Sequence, residues 1–357
     1  MKVLVTGSSG LIGSEAVLHY DGFGHEVHGI DNNLREDFFG PTGSTLWNLS
    51  RLKDLTRNFT HCRIDVRDRA AVMALFENQP FDLIIHCAAQ PSHDRAREIP
   101  FLDFEVNAVG TLNLLEAMRR HWPEAVFCHM STNKVYGDAP NEKDLVELPS
   151  RYDYARSQDR NGIDETCRID RSLHSLFGVS KAAGDLMAQE YGRTFDLKIG
   201  VFRGGCLTGP QHSGVELHGF LSYLAKVVVR SEPYTIFGYK GKQVRDQIHA
   251  EDVIAAFDAF ANNPRCGEVY NLGGGRENSA SVLEAIDRFE KLTGNKLPVS
   301  YMPQNRLGDH ICYISDLTKI RSHFPQWSIT RSLDSIFDEM VRAEHERLKK
   351  FPKRSVA

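Results

Sequence analysis

The stretch Lys2-Val3-Leu4-Val5-Thr6-Gly7-Ser8-Ser9-Gly10-Leu11-Ile12-Gly13 decides the fold. Residues Lys2–Thr6 form a short, mostly apolar run suited to a buried strand, and Leu11–Tyr20 continues with helical spacing. A strand that turns through glycines into a helix aims backbone N–H groups, and the positive end of the helix dipole, at whatever lies over the turn. Glycine at Gly7, Gly10 and Gly13 permits a tight turn and a close approach to a pyrophosphate. The spacing is GxxGxxG rather than GxGxxG, which alone also describes an ordinary Gly-rich turn. The next strand, Glu26–Asp31 (EVHGID), supplies the context. Asp31 ends it, 18 residues after Gly13. A carboxylate there accepts hydrogen bonds from both hydroxyls of an adenosine ribose and repels a 2′-phosphate, so the reading is a dinucleotide cradle that prefers NAD(H) to NADP(H). Arg35 runs against this preference, because a nearby guanidinium suits a 2′-phosphate.

Outward from this unit, the same alternation recurs. Asp82–Ala88 (DLIIHCA), Ala125–Ser131 (AVFCHMS) and Lys198–Arg203 (KIGVFR) read as buried strands. Arg69–Asn78, Phe101–Arg120 and Gly178–Phe195 read as helices, with Asp68 placed to cap the first of them. Strand–helix alternation predicts an α/β fold, a doubly wound parallel sheet covered by helices on both faces, with ligands at the carboxyl ends of the strands. Residues 138–176 are polar without clear period, long for a loop in a compact domain and of the kind that carries function. Beyond Arg203 the pattern predicts a helix near Val215–Val229, a strand near Pro233–Phe237, shorter pieces from Ser279 onward and a charged helix near Leu333–Lys350. These suggest a smaller, partly interleaved domain. The expected division is 1-203 and 243-272 for the dinucleotide domain, and 204-242 and 273-350 for the smaller one.

Composition excludes several classes. Of 357 residues, 41% are hydrophobic and 25% charged, which excludes a disordered or low-complexity chain. A net charge of −4 provides no basic field, so no nucleic-acid partner is expected. No stretch approaches the ~18–20 apolar residues of a membrane span, and no signal-peptide pattern is seen at the start, so the expectation is a cytoplasmic protein without a membrane partner. Seven cysteines without a CxxC pair predict reduced thiols. The 15 histidines are scattered, and no metal site is expected.

Further motifs give the chain a family. Asp65-Val66 is similar to an adenine-contacting pair, Ala88-Ala89-Gln90 to a segment lining the cofactor, and Asn107 in VNAVGT to a helix-embedded Asn. Ser131-Thr132-Asn133-Lys134-Val135-Tyr136-Gly137 is similar to the strand-end segment with the catalytic hydroxyl, and Lys181 to the Lys of a YxxxK motif. Val244-Arg245-Asp246, His249, Asp252 and Asn271-Leu272-Gly273 follow the same pattern. Together these motifs resemble the extended short-chain dehydrogenase/reductase family of sugar-nucleotide epimerases and dehydratases. Within it, the Thr-Asn-Lys-Val-Tyr-Gly string, the Asn161-Gly162-Ile163-Asp164-Glu165 insertion and Lys242-Gln243-Val244-Arg245-Asp246 most resemble the CDP-paratose (CDP-tyvelose) 2-epimerases. The resemblance implies NAD held by Gly7, Ser9, Gly10, Leu11, Ile12, Gly13, Asp31, Asn32, Asp65, Val66, Ala88, Ala89, Gln90, Asn107, Ser131 and Lys181. It also implies a CDP- or UDP-linked sugar held by Asn133, Arg203, Arg245 and Arg306 in the smaller domain. Thr132 and Lys181 take catalytic roles, and helices Phe101–Arg120 and Gly178–Phe195 pair across a homodimer. The implied activity is a nucleotide-sugar epimerase that transiently oxidises and re-reduces its sugar. A 4,6-dehydratase is disfavoured, because Asn133 and Lys134 stand where that reaction needs an Asp-Glu acid and base. Another 4-epimerase or a specialised dehydration remains the enzyme alternative.

One position departs from the pattern. The family's catalytic Tyr should stand four residues before Lys181, and this chain has Phe177 there. A phenyl ring fills the space of a phenol but transfers no proton. Three readings stay open: another base acts, with Thr132, Lys181, Tyr152 and Tyr154 as candidates; the residue is an engineered exchange; or the protein binds its ligands without turnover.

Overall fold

The alternating runs assemble into one seven-stranded sheet. Its strands are Lys2–Thr6 (β1), Glu26–Ile30 (β2), Phe59–Cys62 (β3), Leu83–His86 (β4), Val126–Thr132 (β5), Ile199–Gly204 (β6) and Glu268–Leu272 (β7) in a computed structural model that describes residues 1–216, 218–305 and 308–350. The spatial order is β3-β2-β1-β4-β5-β6-β7, with every pairing parallel. The order reverses between β1 and β4. Helices leaving these strands therefore diverge to opposite faces, and a crevice opens at the carboxyl ends.

Both faces of the sheet are covered, which is why its central strands are apolar throughout rather than alternating. Val3 and Val5 pack with Ala16, Val17, Phe257 and Phe260, from helices Leu11–Gly22 and Ala250–Asn262. Leu4 faces the other way, onto Phe76, Leu114 and Leu115 of helices Arg69–Asn78 and Gly110–His121. Asp68 caps the Arg69–Asn78 helix as the sequence predicts, accepting the Ala71 N–H at 3.0 Å.

Three elements depart from the sequence reading. The run expected as one helix over Phe101–Arg120 is Pro100–Phe104, a π-turn Glu105–Val109 and Gly110–His121. The wide turn contains Asn107, whose amide is fully engaged with neighbouring segments, so a tertiary contact accompanies the irregular backbone. The helix expected from Val215 begins at Phe220, because Gly219 stands at φ +92° in a loop. Within 138–176, Leu145–Glu147 and Tyr152–Tyr154 form a small antiparallel hairpin. A separate apolar cluster gathers Leu224, Val228, Ile286, Phe289 and Phe337 from the helices Phe220–Arg230, Val282–Thr293 and Leu333–Lys350. Phe220, Leu221 and Val282, at the edge of this cluster, line the crevice.

Candidate active site

The glycine turn lies at the end of β1. Gly7 has φ +65°, and its N–H donates to Ile30 O at 2.8 Å, tying the turn to β2. A Cβ on Gly13 would stand 2.1 Å from Gly7 O, so the helix start and the turn touch backbone to backbone. Asp31 completes the cradle. Its Oδ2 accepts the Ser9 N–H at 3.0 Å and its Oδ1 the Asn33 N–H at 2.8 Å, which fixes the carboxylate at the edge of a cleft of about 480 Å³. Gly7, Gly10, Leu11, Ile12, Gly13, Asp31, Asn32, Asp65 and Val66 all line that cleft. Asn32 Nδ2 donates to Asp65 Oδ2 at 2.9 Å, joining the ends of two strands. Ser9 does not line the cleft. It is buried, and its N–H holds Asp31 in place.

Arg35 is committed elsewhere. Its guanidinium donates to Ser213 O at 2.7 Å, lies 3.2 Å from His218 Nδ1 and stacks over Phe39. It is occupied in holding Ser213 and His218, which weakens its case as a 2′-phosphate ligand.

Beyond β4, Ala88 and Ala89 line the cleft, whereas Gln90 and Asn107 do not. Both are fully buried. Asn107 Oδ1 accepts the Gln90 N–H, and its Nδ2 lies within donating distance of Gln90 O, Asp103 Oδ1 and Ser180 Oγ, each at 3.0–3.1 Å. These residues hold the lining segment from behind. Sequence reasoning assigned them to the ligand because it sees position, not which way a side chain is spent.

The helix Leu176–Thr194 sets the reactive end. Phe177, Lys181 and Asp185 repeat every four residues and so share one face, turned to the carboxyl end of β5. Lys181 Nζ donates to Met130 O at 2.8 Å, and burial lowers its pKa to about 8. Ser131 Oγ donates to Asp185 Oδ2 at 2.5 Å. Thr132 caps the short turn Asn133–Tyr136, its Oγ1 accepting the Lys134 N–H at 3.3 Å, and also faces the cleft. Ser131, Thr132, Asn133, Phe177 and Lys181 therefore meet on one wall. Arg203 does not join them. Its guanidinium is buried, bound to both oxygens of Asp185 at 2.9–3.0 Å and to Tyr136 Oη at 3.1 Å. The expectation that Arg203 binds substrate is corrected: a buried carboxylate claims it.

A charged cluster also lines the cleft. Arg245 and Lys134 flank Asp309, with Arg245 Nη2 paired to Asp309 Oδ1 and Lys134 Nζ 3.7 Å from the same oxygen. Burial pushes the Asp309 carboxyl up, but the two cations outweigh it and hold it well below the usual carboxylate range. Lys134, read from sequence only as a departure from the dehydratase pattern, belongs to this cluster, and burial lowers it to about 8. Arg306 lies outside the described residues. Tyr152 and Tyr154, weighed as replacement bases, are not in the cleft: Tyr152 Oη donates to Glu147 at 3.2 Å and Tyr154 Oη to Cys312 O at 3.3 Å. Asp246 and Asp252 are likewise buried structural acceptors for backbone N–H groups. Sequence reasoning passed over His93, which lines the cleft beside Phe177. Nothing in its spacing distinguishes it from the other histidines.

The NAD dependent epimerase/dehydratase family model matches residues 3–273, three quarters of the chain and all of the cradle and reactive wall. The chain belongs to this family. The CDP-paratose 2-epimerase of Salmonella typhi is 34% identical over 335 residues, covering 92% of this chain and 94% of that protein. A dTDP-glucose 4,6-dehydratase of Salmonella typhimurium is 29% identical, over 90% of this chain and 86% of its own. Among solved structures, the Thermus thermophilus UDP-glucose 4-epimerase complex with NAD superposes with a TM-score of 0.77 at 26% identity, covering 97% of this chain and 99% of that one. The cofactor of the family is NAD, and the site fits it: glycines that exclude a Cβ at the turn, a fixed carboxylate at the end of β2, and apolar Val66 and Ala88 along the cleft.

Proposed function

We propose that the protein is an NAD-dependent nucleotide-sugar epimerase, similar in reaction to a CDP-paratose 2-epimerase, which oxidises its sugar transiently and re-reduces it on the opposite face. The carrying observation is one continuous cleft that runs from the Asp31 cradle, past Thr132 and Lys181, to Arg245 beside Lys134 and Asp309. Bound NAD supplies the hydride acceptor and donor. In this reading Asp31 holds the adenosine ribose, the glycine turn and helix N-terminus carry the pyrophosphate, and Lys181 orients the nicotinamide ribose. Thr132 hydrogen-bonds the reacting hydroxyl, Asn133 contacts the sugar, and Arg245, with Arg306, binds the diphosphate. Residues 1-203 and 243-272 then serve the dinucleotide, and 204-242 and 273-350 the nucleotide sugar. The relative's name and the replacement of a dehydratase acid–base pair by Asn133 and Lys134 both favour epimerisation over elimination.

The proposal extends to a cytoplasmic homodimer. Phe101 (84% exposed), Leu176, Val179 and Leu186 leave an apolar surface on the two helical segments that the resemblance pairs between subunits. Light scattering at micromolar concentration tests it, and a clean monomer rejects it. Among the described residues, no helix is long and apolar enough to cross a membrane.

Phe177 favours a second reading, a protein that binds NAD and a nucleotide sugar without turnover. Incubation with CDP- and UDP-sugars in deuterated water, followed by NMR and mass spectrometry, separates the two. A new stereoisomer without isotope uptake supports transient oxidation. Deuterium at carbon would replace it with enolisation, and unchanged sugars would leave the binding reading.

A further inference from the structure

We infer that His93 is the group that removes and returns the proton of the sugar hydroxyl, in place of the phenol that Phe177 lacks; this rests on the epimerase reading above. The His93 imidazole stands edge-on to the Phe177 ring, with centroids 4.9 Å apart and planes at 63°, and both side chains line the cleft. His93 Nδ1 lies 2.7 Å from Ser175 Oγ. Ser175 is the N-cap of the helix that carries Phe177 and Lys181, and the same oxygen accepts the Gly178 N–H at 3.1 Å. One hydroxyl therefore fixes the imidazole to the start of the reactive helix. A base held by a third group is the arrangement that proton transfer requires. With Nδ1 protonated and donating to Ser175 Oγ, the lone pair sits on Nε2, on the other side of the ring from that bond.

Thr132, Lys181 and the two thiols that share the cleft suit the task less. Thr132 is an alcohol, a poor base at neutral pH. Lys181 Nζ is anchored on Met130 O. The Cys87 and Cys206 thiols are pushed up to about 12 and about 11 by burial and stay protonated. A neutral imidazole carries a basic nitrogen lone pair that can accept a proton. In the forward step the sugar O–H bond breaks and its proton passes to Nε2. The neighbouring C–H bond breaks with its electron pair leaving to the oxidised nicotinamide dinucleotide, and the O–H pair becomes the second bond of the carbonyl. Hydride return to the opposite face reverses each transfer, and Nε2 gives the proton back.

The test compares wild type, His93→Gln, His93→Asn, Phe177→Tyr and the double variant His93→Gln/Phe177→Tyr, with CDP-paratose and UDP-glucose as probes. Readouts are epimer formation by NMR, bound NAD by mass spectrometry and UDP or CDP affinity by calorimetry. Diethyl pyrocarbonate labelling of His93 is mapped in the wild-type protein. Both His93 variants should lose about 10²-fold or more in turnover, the scale of a general acid–base group, with NAD content and nucleotide affinity retained. The double variant should recover at least about tenfold, because a phenol beside Lys181 restores a proton acceptor where glutamine cannot act. Labelling of His93 should slow when UDP-glucose is bound. Turnover within about tenfold of wild type in both His93 variants overturns the role, as does a loss that the added Tyr does not recover. Labelling indifferent to bound sugar also overturns it. A wild type that converts none of the sugars fails the epimerase reading itself, and this role with it, a result distinguishable from a His93-specific loss.

Discussion

Replacing Arg203 by Met separates a structural from a substrate-binding arginine. The Arg203 guanidinium is 4% exposed and its Asp185 partner fully buried. Removing the cation leaves Asp185 charged in dry surroundings, with Ser131 Oγ and Gln189 Nε2 as its remaining donors at 2.5 and 2.6 Å. Breaking a buried pair from one side costs about 3–5 kcal/mol, because the surviving charge keeps its desolvation penalty. At roughly 2–4 °C per kcal/mol in a large domain, the melting temperature should fall by ~6–20 °C. The double variant Asp185→Leu/Arg203→Met should lose less than Arg203→Met alone, since removing both charges also removes the penalty. Thermal and urea unfolding measure these differences, and calorimetry with UDP on the folded fraction should show unchanged affinity. Unaltered stability together with weakened UDP binding would refute the reasoning and return Arg203 to the substrate.

Asp31→Ala should sharply reduce the NAD that co-purifies with the protein, as read by native mass spectrometry. Preferential retention of NADP(H) by the wild type would contradict the role given to that carboxylate. Gly13→Ala forces a methyl to within 2.1 Å of Gly7 O, and since every close neighbour is backbone the turn must shift. A stability loss of about 1–3 kcal/mol with loss of bound NAD is expected, and an unperturbed variant would show that the turn is not tightly packed. Burial lowers Lys181 to about 8, so in the NAD-free protein between about pH 8 and 10 the unfolded chain binds more protons than the folded one. Lys181 therefore makes stability rise with pH across that window. Lys181→Met should remove this contribution, so unfolding of the two proteins at a series of pH values should show a smaller slope for the variant; equal slopes would place the ammonium in solvent.

The legibility of the chain follows burial. β1, β4, β5 and β6 lie deep in the sheet, and apolar runs betray them. β3 is an edge strand of mixed exposure, Phe-Thr-His-Cys, which no hydrophobic pattern distinguishes from a loop. The helices Leu46–Leu55 and Ala250–Asn262 also passed unread, the first because it buries little beyond Asn48 and Leu52. In the site, residues that backbone or position sets on the cleft were readable: Gly7, Gly13, Asp31, Ala88, Lys181. Residues whose role depends on where a long or branched polar side chain ends were misplaced. Gln90, Asn107 and Arg203 are each consumed by buried partners behind the cleft.

Sequence alone determined the parallel sheet, the glycine turn with a carboxylate at the end of the next strand, the family, and the absence of a phenol at Phe177. Each is a local property, set by hydrophobic period, by conformations open to glycine, or by the identity of one residue. Tertiary structure decided which polar groups face the cleft and which are spent behind it. It alone brought His93 to Ser175 across 82 residues and set the imidazole against Phe177. It also gathered Lys134 and Arg245 around Asp309. The physical reason is that a buried polar side chain must find a partner, and which partner is within reach depends on how distant segments pack rather than on their spacing in the chain.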